Sequence, residues 1–256
     1  MSTILEFKNV HQRFGATEVL RGIDLSISAG ERVALIGPNG AGKTTLFNLV
    51  SGRFAPSAGE VWLKHQRIDG KKPYAIARLG LARSFQATQV FSGLSVFENV
   101  RCSVLVGLGY GGQWFASVSR LKEVTARTQA LLEQIHLVEQ RDTLAQALSY
   151  ADQRALELGI TLGSGADVIL LDEPTAGMSQ TETLFFLDRI KSATQGKTLL
   201  MVEHDMGVVF GLADKIAVVV YGEVLAYDTP EAVRANPRVQ EAYLGSSVAD
   251  AQAGGH

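Results

Sequence analysis

The chain holds a single cysteine, Cys102, so no internal disulfide framework can form, and a reducing compartment is the expectation. It also lacks an uninterrupted apolar run of the roughly 18 residues that a membrane-spanning helix needs, so any work at a membrane would pass through a partner. Met1–Val10 shows no basic region followed by an apolar stretch, and no cleavable signal is expected there. An excess of one charge is missing too. Against 24 Lys and Arg stand 26 Asp and Glu, a net charge of −2, with the two signs interspersed. A nucleic-acid binder would carry a basic stripe or a high pI, so nucleic acid is not expected as a partner. No internal repeat is visible.

What is present is a chain of 256 residues, 46% hydrophobic and 20% charged. That is enough to bury a substantial core, as one large α/β domain or as a domain with a subdomain inserted. Ile4–Val10 and Val19–Ile27 are β-like runs flanking Phe14-Gly15, and Glu31–Gly37 reads as a buried strand that ends in glycine. Lys43–Ser51 has helical apolar spacing, with Leu46, Leu49 and Val50 on one face, and Gly59–Leu63 reads as another short strand. From about Thr88 to Ala166 helical patterns dominate, notably Glu123–Leu137, around one glycine-rich stretch at Gly107–Gly112. Strand patterns resume at Val168–Leu171, Thr198–Val202, Lys215–Tyr221 and, after a Gly222-Glu223 turn, Val224–Tyr227. Strands alternating with helices predict a mainly parallel sheet covered on both faces. The expected organisation is a single domain, with a core of about 1–87 and 167–245, a helical subdomain of about 88–166 and a disordered tail at 246–256.

The strand ending at Gly37 runs directly into Gly37-Pro38-Asn39-Gly40-Ala41-Gly42-Lys43-Thr44-Thr45. This is G-x-x-x-x-G-K-S/T in the context it requires, strand before and helix after. Glycines let backbone N–H groups curl around phosphate oxygens without Cβ clashes. The helix that follows turns its N-terminal end, about half a positive unit charge, toward the same anion. Lys43 is the candidate to reach the β- and γ-phosphates, and the Thr44 hydroxyl to ligate Mg²⁺. The loop by itself says only that a nucleotide binds, since unrelated NTPases share it.

Val168–Leu171 ends abruptly in Asp172-Glu173-Pro174. Ligands of open α/β sheets collect at the C-terminal ends of strands, and two adjacent acids are an unusual core feature. Asp172 suits a role in holding Mg²⁺, and Glu173 a role as the general base that polarises an attacking water. Thr198–Val202 likewise ends in Glu203-His204-Asp205. A lone histidine is most often structural or solvated, but one at the end of the next apolar strand is a candidate to contact the γ-phosphate or orient the base.

In this order and spacing, the phosphate loop, the Leu148–Asp152 segment, the acid pair and the later histidine resemble the nucleotide-binding subunit of ABC (ATP-binding cassette) transporters over nearly the whole chain. The resemblance implies a P-loop NTPase fold with an N-terminal antiparallel β region and an inserted helical subdomain, using ATP and Mg²⁺. It implies that Phe14 stacks on adenine, that Gln86 senses Mg²⁺ and the attacking water, and that Thr175–Ser179 is a loop at a dimer interface. It also implies that Leu148-Ser149-Tyr150-Ala151-Asp152 is the signature segment, whose Ser149 meets the γ-phosphate bound by a second ATPase subunit.

The usual signature reads Leu-Ser-Gly-Gly-Gln. Here Ala151 adds a methyl where glycine allows close approach, and Asp152 brings a carboxylate toward a polyanion, so the site offered to a partner's ATP is expected to be weakened. Gly159 in the helix behind is expected to cost about 1 kcal/mol relative to alanine. The interface loop usually ends in an acid or asparagine; Ser179 brings no charge.

Arg83–Gln86, Phe91–Val100, Glu203–Met206 and the ending from Thr229 to Gly245 are similar to the ATPase subunits of importers for branched-chain amino acids, urea and amides. The implied partners are a second ATPase subunit, identical or different, transmembrane permease subunits and, indirectly, a solute-binding protein. The implied location is peripheral, on the cytoplasmic face of the inner membrane. Lipopolysaccharide-export ATPases share parts of the same ending, and a non-transport ABC ATPase is a further alternative. Gly107–Phe115 carries aromatics that could touch a permease or fold back on the helical subdomain.

Overall fold

The computed structural model describes residues 2–84, 90–110 and 118–242. In chain order the elements are β1 (Thr3–Phe14), β2 (Thr17–Ser28), β3 (Arg32–Ile36), α1 (Lys43–Val50), β4 (Ala58–Leu63), β5 (Gln66–Arg67) and α2 (Pro73–Arg78). There follow β6 (Leu81–Arg83), α3 (Val96–Gly107), α4 (Val118–Gln134), a short 3-10 turn at Ala145–Ala147, α5 (Tyr150–Gly163), β7 (Val168–Asp172) and α6 (Gln180–Ala193). The described chain closes with β8 (Thr198–Val202), α7 (Met206–Leu212), β9 (Lys215–Val220), β10 (Glu223–Asp228) and α8 (Pro230–Ala235). Two compact units result, Met1–Leu79 with Leu200–His256, and Gly80–Leu199.

In the first unit β2, β1, β4 and β5 form a four-stranded antiparallel sheet in that order. Alternation builds it: Leu5, Phe7 and Val10 of β1 and Leu20, Ile23, Leu25 and Ile27 of β2 are buried, with polar residues between them. Both strands run longer than the apolar alternation suggests, because the β1–β2 ladder continues through register shifts as far as Phe14. The first unit also holds β10, β9 and β3, side by side in that order in a second sheet. β3 pairs with β9 in parallel, and β10 is an antiparallel edge on β9. Val33–Ile36 of β3 and Ile216–Val220 of β9 are buried without alternation, as strands of a parallel sheet covered on both faces should be.

In the second unit β6 pairs with β7 in parallel, setting Arg83 opposite Leu170. Two of its helices begin at capping boxes. Ser95 opens α3 through a reciprocal capping box with Glu98, and Ser179 opens α6 through one with Glu182. Gly159 turns out to have a packing reason. A Cβ there would lie 2.6 Å from Ile135 Cδ1 and 3.4 Å from Val100 Cγ2, so its absence lets α5 approach these neighbours closely. The parallel pairing of β3 with β9 and of β6 with β7 is what the sequence pattern predicts, and the antiparallel N-terminal sheet is what the family resemblance implies.

Candidate functional site

The phosphate loop belongs to the first unit and leaves β3 at Gly37. Gly37 has φ 151°, and a Cβ at this position would meet the Val219 carbonyl oxygen at 2.0 Å. Only glycine fits where the turn passes so close to β9. Gly42 caps α1 from the left-handed region, and no acidic residue stands in the first turn of that helix. No acid within that turn offsets the attraction of the helix's positive N-terminal end for an anion. Lys43 is buried, and its Nζ donates to the carbonyl oxygens of Gly37 at 2.6 Å and Pro38 at 2.9 Å. The ammonium is held inside the curl of its own loop, so a triphosphate could exchange with carbonyls for its hydrogens. Thr44 is exposed and Thr45 half-buried at the head of the helix. Pro38, Asn39, Gly40 and Ala41 complete the loop, closed by Ala41 N–H donating to the Pro38 carbonyl at 3.2 Å.

Two further candidates lie in this unit. Phe14 ends β1 with 48% of its surface exposed, its ring meeting that of Phe54 edge-on at 5.4 Å. Phe54 was not singled out from the sequence; its only signal was an aromatic just past α1, and it fixes the plane that Phe14 presents. His204 is exposed after β8. The neighbouring Glu203 is buried and accepts hydrogen bonds from the backbone N–H of His204 at 2.9 Å and of Asp205 at 3.4 Å. Asp205 caps α7 by accepting from Gly207 N and Val208 N. Both acids are thus committed to shaping the turn that displays the histidine.

In the second unit β7 ends at Asp172, which is buried and paired to Arg83, whose guanidinium donates to Asp172 Oδ2 at 2.8 Å. The parallel register explains the meeting, since Arg83 opposite Leu170 comes within two residues of the acid. Ser84 also binds β7, donating from Oγ to the Leu170 carbonyl and accepting from Asp172 N, both at 3.4 Å. Glu173 adopts φ 48°, the left-handed region, unusual for a non-glycine residue. Such a conformation costs on the order of 1–3 kcal/mol and tends to gather at functional sites. It begins a tight turn in which Ala176 N–H donates to the Glu173 carbonyl and Met178 N–H to that of Thr175, both at 3.1 Å. Gln86 lies outside the described residues, as does Gly111–Phe115.

The signature segment sits beside that turn. Ser149 caps α5, accepting from Asp152 N at 3.2 Å. The expected repulsion by Asp152 is answered inside the fold: its Oδ2 accepts from Ser149 Oγ at 2.8 Å, and its Oδ1 from Arg189 of α6 at 2.9 Å. Tyr150 donates its hydroxyl to the Ala176 carbonyl at 2.8 Å, and its ring lies 5.6 Å from the Arg154 guanidinium. Burial alone would lower the Arg154 pKa, but the hydrogen bond and charge of Glu157 outweigh it and raise it. Ser179 spends its hydroxyl on Glu182, and hydrogen bonds from its Oγ and N–H hold that carboxyl below the usual carboxylate range. Arg83, Tyr150 and Arg189 gave no sequence signal as a group, because each finds its partner only through the tertiary fold.

Among the described residues no group of three or more His, Cys, Asp or Glu could hold a metal ion, and no helix is long and apolar enough to cross a membrane. The Thr44 hydroxyl and the Asp172 carboxylate are each hard oxygen donors of the kind Mg²⁺ takes, an ion usually bound by one or two protein groups together with waters and substrate phosphates.

Residues 20–176 match the family model described as ABC transporter, and residues 223–249 match the one described as branched-chain amino acid ATP-binding cassette transporter. The chain is 37% identical over 251 residues to the high-affinity branched-chain amino acid transport ATP-binding protein LivG of Escherichia coli K12, covering 95% of this chain and 98% of LivG. To BraF of Pseudomonas aeruginosa, a protein of the same description, it is 34% identical over 258 residues, with 95% and 98% covered. The lipopolysaccharide export system ATP-binding protein LptB of Acidithiobacillus ferridurans is 30% identical over 246 residues, with 96% and 98% covered. Among solved structures, the ADP conformation of MJ1267, an ATP-binding cassette of an ABC transporter, aligns with a TM-score of 0.81 at 25% identity, covering 96% of this chain and all of MJ1267.

Proposed function

This chain belongs to the ABC transporter family, as one of its ATP-hydrolysing subunits, and from that premise we propose that it drives the import of branched-chain amino acids or closely related small solutes. The observation that carries the reading is the loop from Gly37 to Thr45, with Lys43 Nζ folded onto its own carbonyls at the positive end of α1, whose first turn holds no acidic residue. Such a loop is built to exchange carbonyls for phosphate oxygens. The substrate class comes from likeness to LivG and BraF and from the match of the C-terminal stretch.

In this reading the Gly37–Thr45 backbone and Lys43 hold the β- and γ-phosphates, and Phe14 stacks on the adenine. Thr44, Asp172 and Gln86 hold Mg²⁺, which when bound neutralises charge on the phosphate oxygens. Glu173 takes the proton of the attacking water, and His204 contacts the γ-phosphate and keeps the base oriented. Ser149 meets the nucleotide of a second ATPase subunit, so two chains enclose two ATP molecules. Catalysis of this kind is mostly positioning and charge stabilisation. Closing and reopening of the pair would be passed to permease subunits at the cytoplasmic face of the membrane, with a solute-binding protein delivering the cargo from outside.

The test is uptake by vesicles containing the assembled transporter. ATP-dependent accumulation of leucine, isoleucine or valine, abolished by Glu173→Gln, is expected. ATP hydrolysis that is stimulated by lipopolysaccharide and indifferent to amino acids would overturn the substrate assignment.

A further inference from the structure

The Tyr150 hydroxyl reaches 26 residues along the chain to the Ala176 carbonyl, at 2.8 Å. Ala176 lies in the middle of the turn that starts at Glu173, and its own N–H returns to the Glu173 carbonyl. Two hydrogen bonds in series, through Ala176, therefore connect the first residue of α5 to the carbonyl of Glu173, the residue with the left-handed φ. The helix that follows the turn is also tied to α5. Ser179 closes the turn by capping α6, and α6 is tied back to the first turn of α5 by Arg189 on Asp152, 2.9 Å apart. Side chains of Tyr150 and Asp152, which replace two small or neutral positions of the usual signature, thus tie α5 to the middle of the loop that carries the candidate base and to the helix that follows it. Glycine at 150 could make no such contact. The link is made at the surface, since Tyr150 is 43% exposed, so it is poorly explained as core packing.

We propose that Tyr150 is a positioning residue that couples the two ATP sites of the working dimer, transmitting engagement of the signature segment by a partner's nucleotide to the Glu173 turn that acts on this chain's own. The proposal rests on the two-subunit reading above. When Ser149 is drawn to a γ-phosphate, the start of α5 moves with it, and the Tyr150–Ala176 bond carries that displacement into the turn. The departures at 150 and 152 then strengthen communication where the sequence alone suggests a weakened site.

The test uses Tyr150→Phe in the full-length chain, which keeps the ring and its place beside Arg154 and removes only the hydroxyl. Amide hydrogen exchange of Thr175–Met178 without nucleotide should accelerate about 3- to 10-fold, the factor of one neutral hydrogen bond. In the assembled dimer, the Hill coefficient for ATP in phosphate release should fall from above 1 toward 1, with ATP affinity of the isolated chain unchanged. Unaltered exchange removes the tether. Faster exchange with a wild-type Hill coefficient, or a wild-type coefficient of 1 at the outset, removes the coupling. Wild-type protein that releases no phosphate contradicts the function proposed above, while the exchange measurement still reads the tether by itself.

Discussion

Replacing Arg83 by methionine removes the cation 2.8 Å from Asp172 and leaves the carboxylate where only 5% of its side chain reaches solvent. Arg83 itself is 11% exposed, so both charges are largely out of water. Breaking such a pair from one side costs about 3–5 kcal/mol, because the remaining charge stays buried and uncompensated. For a chain of this size each kcal/mol moves the unfolding midpoint by about 2 °C, which places the expected loss at about 6–10 °C. Thermal denaturation followed by circular dichroism, without nucleotide, measures it. Adding Asp172→Asn to Arg83→Met should recover most of the deficit, since exchanging a whole buried pair for neutral groups is often close to neutral. Mg²⁺ with ATP should also narrow the gap, if Asp172 meets a cation in the loaded state. A midpoint within about 2 °C of wild type would refute the reasoning, as would a deficit that the second substitution deepens.

Lys43→Ala should weaken ATP binding at least about 10-fold, the lower range for loss of a charge-assisted contact, and isothermal titration showing normal affinity would count against the phosphate-loop assignment. Gly37→Ala drives a methyl to within 2.0 Å of the Val219 carbonyl oxygen; a loss of about 3 kcal/mol or more in chemical denaturation is expected, from backbone strain and overpacking together. Ser149→Ala removes the α5 cap and should cost about 1 kcal/mol in the same assay, whereas an unchanged midpoint would mean that the cap contributes nothing.

The parts legible in the sequence were those whose signal is local. β3 and β9 are short apolar runs, α1 follows a glycine loop, and β7 stops at an acid pair, so the elements carrying most candidate residues could be placed from pattern alone. β1 was read short because Lys8-Asn9 and His11-Gln12-Arg13 interrupt the apolar run, while pairing with β2 carries the strand on to Phe14. What stayed hidden depends on residues far apart along the chain. Asp152 looked like a repulsive intruder until Arg189, 37 positions later, was found beside it. Arg83 and Asp172 are 89 positions apart, and only the parallel register of β6 and β7 brings them together. Gly159 looked like a helix defect because the side chains of Ile135 and Val100 that need its space belong to other segments. The left-handed backbone of Glu173 has no sequence mark at all, since the residue type favours the opposite expectation.

The central claim is that Glu173 assists water in cleaving a triphosphate held by the Gly37–Thr45 loop. Glu173→Gln, assayed side by side for ATP binding and phosphate release in the assembled transporter, tests it most directly. The account predicts wild-type affinity for ATP with hydrolysis reduced about 100-fold or more, the usual contribution of a positioned base. Phosphate release at the wild-type rate from the variant would contradict it.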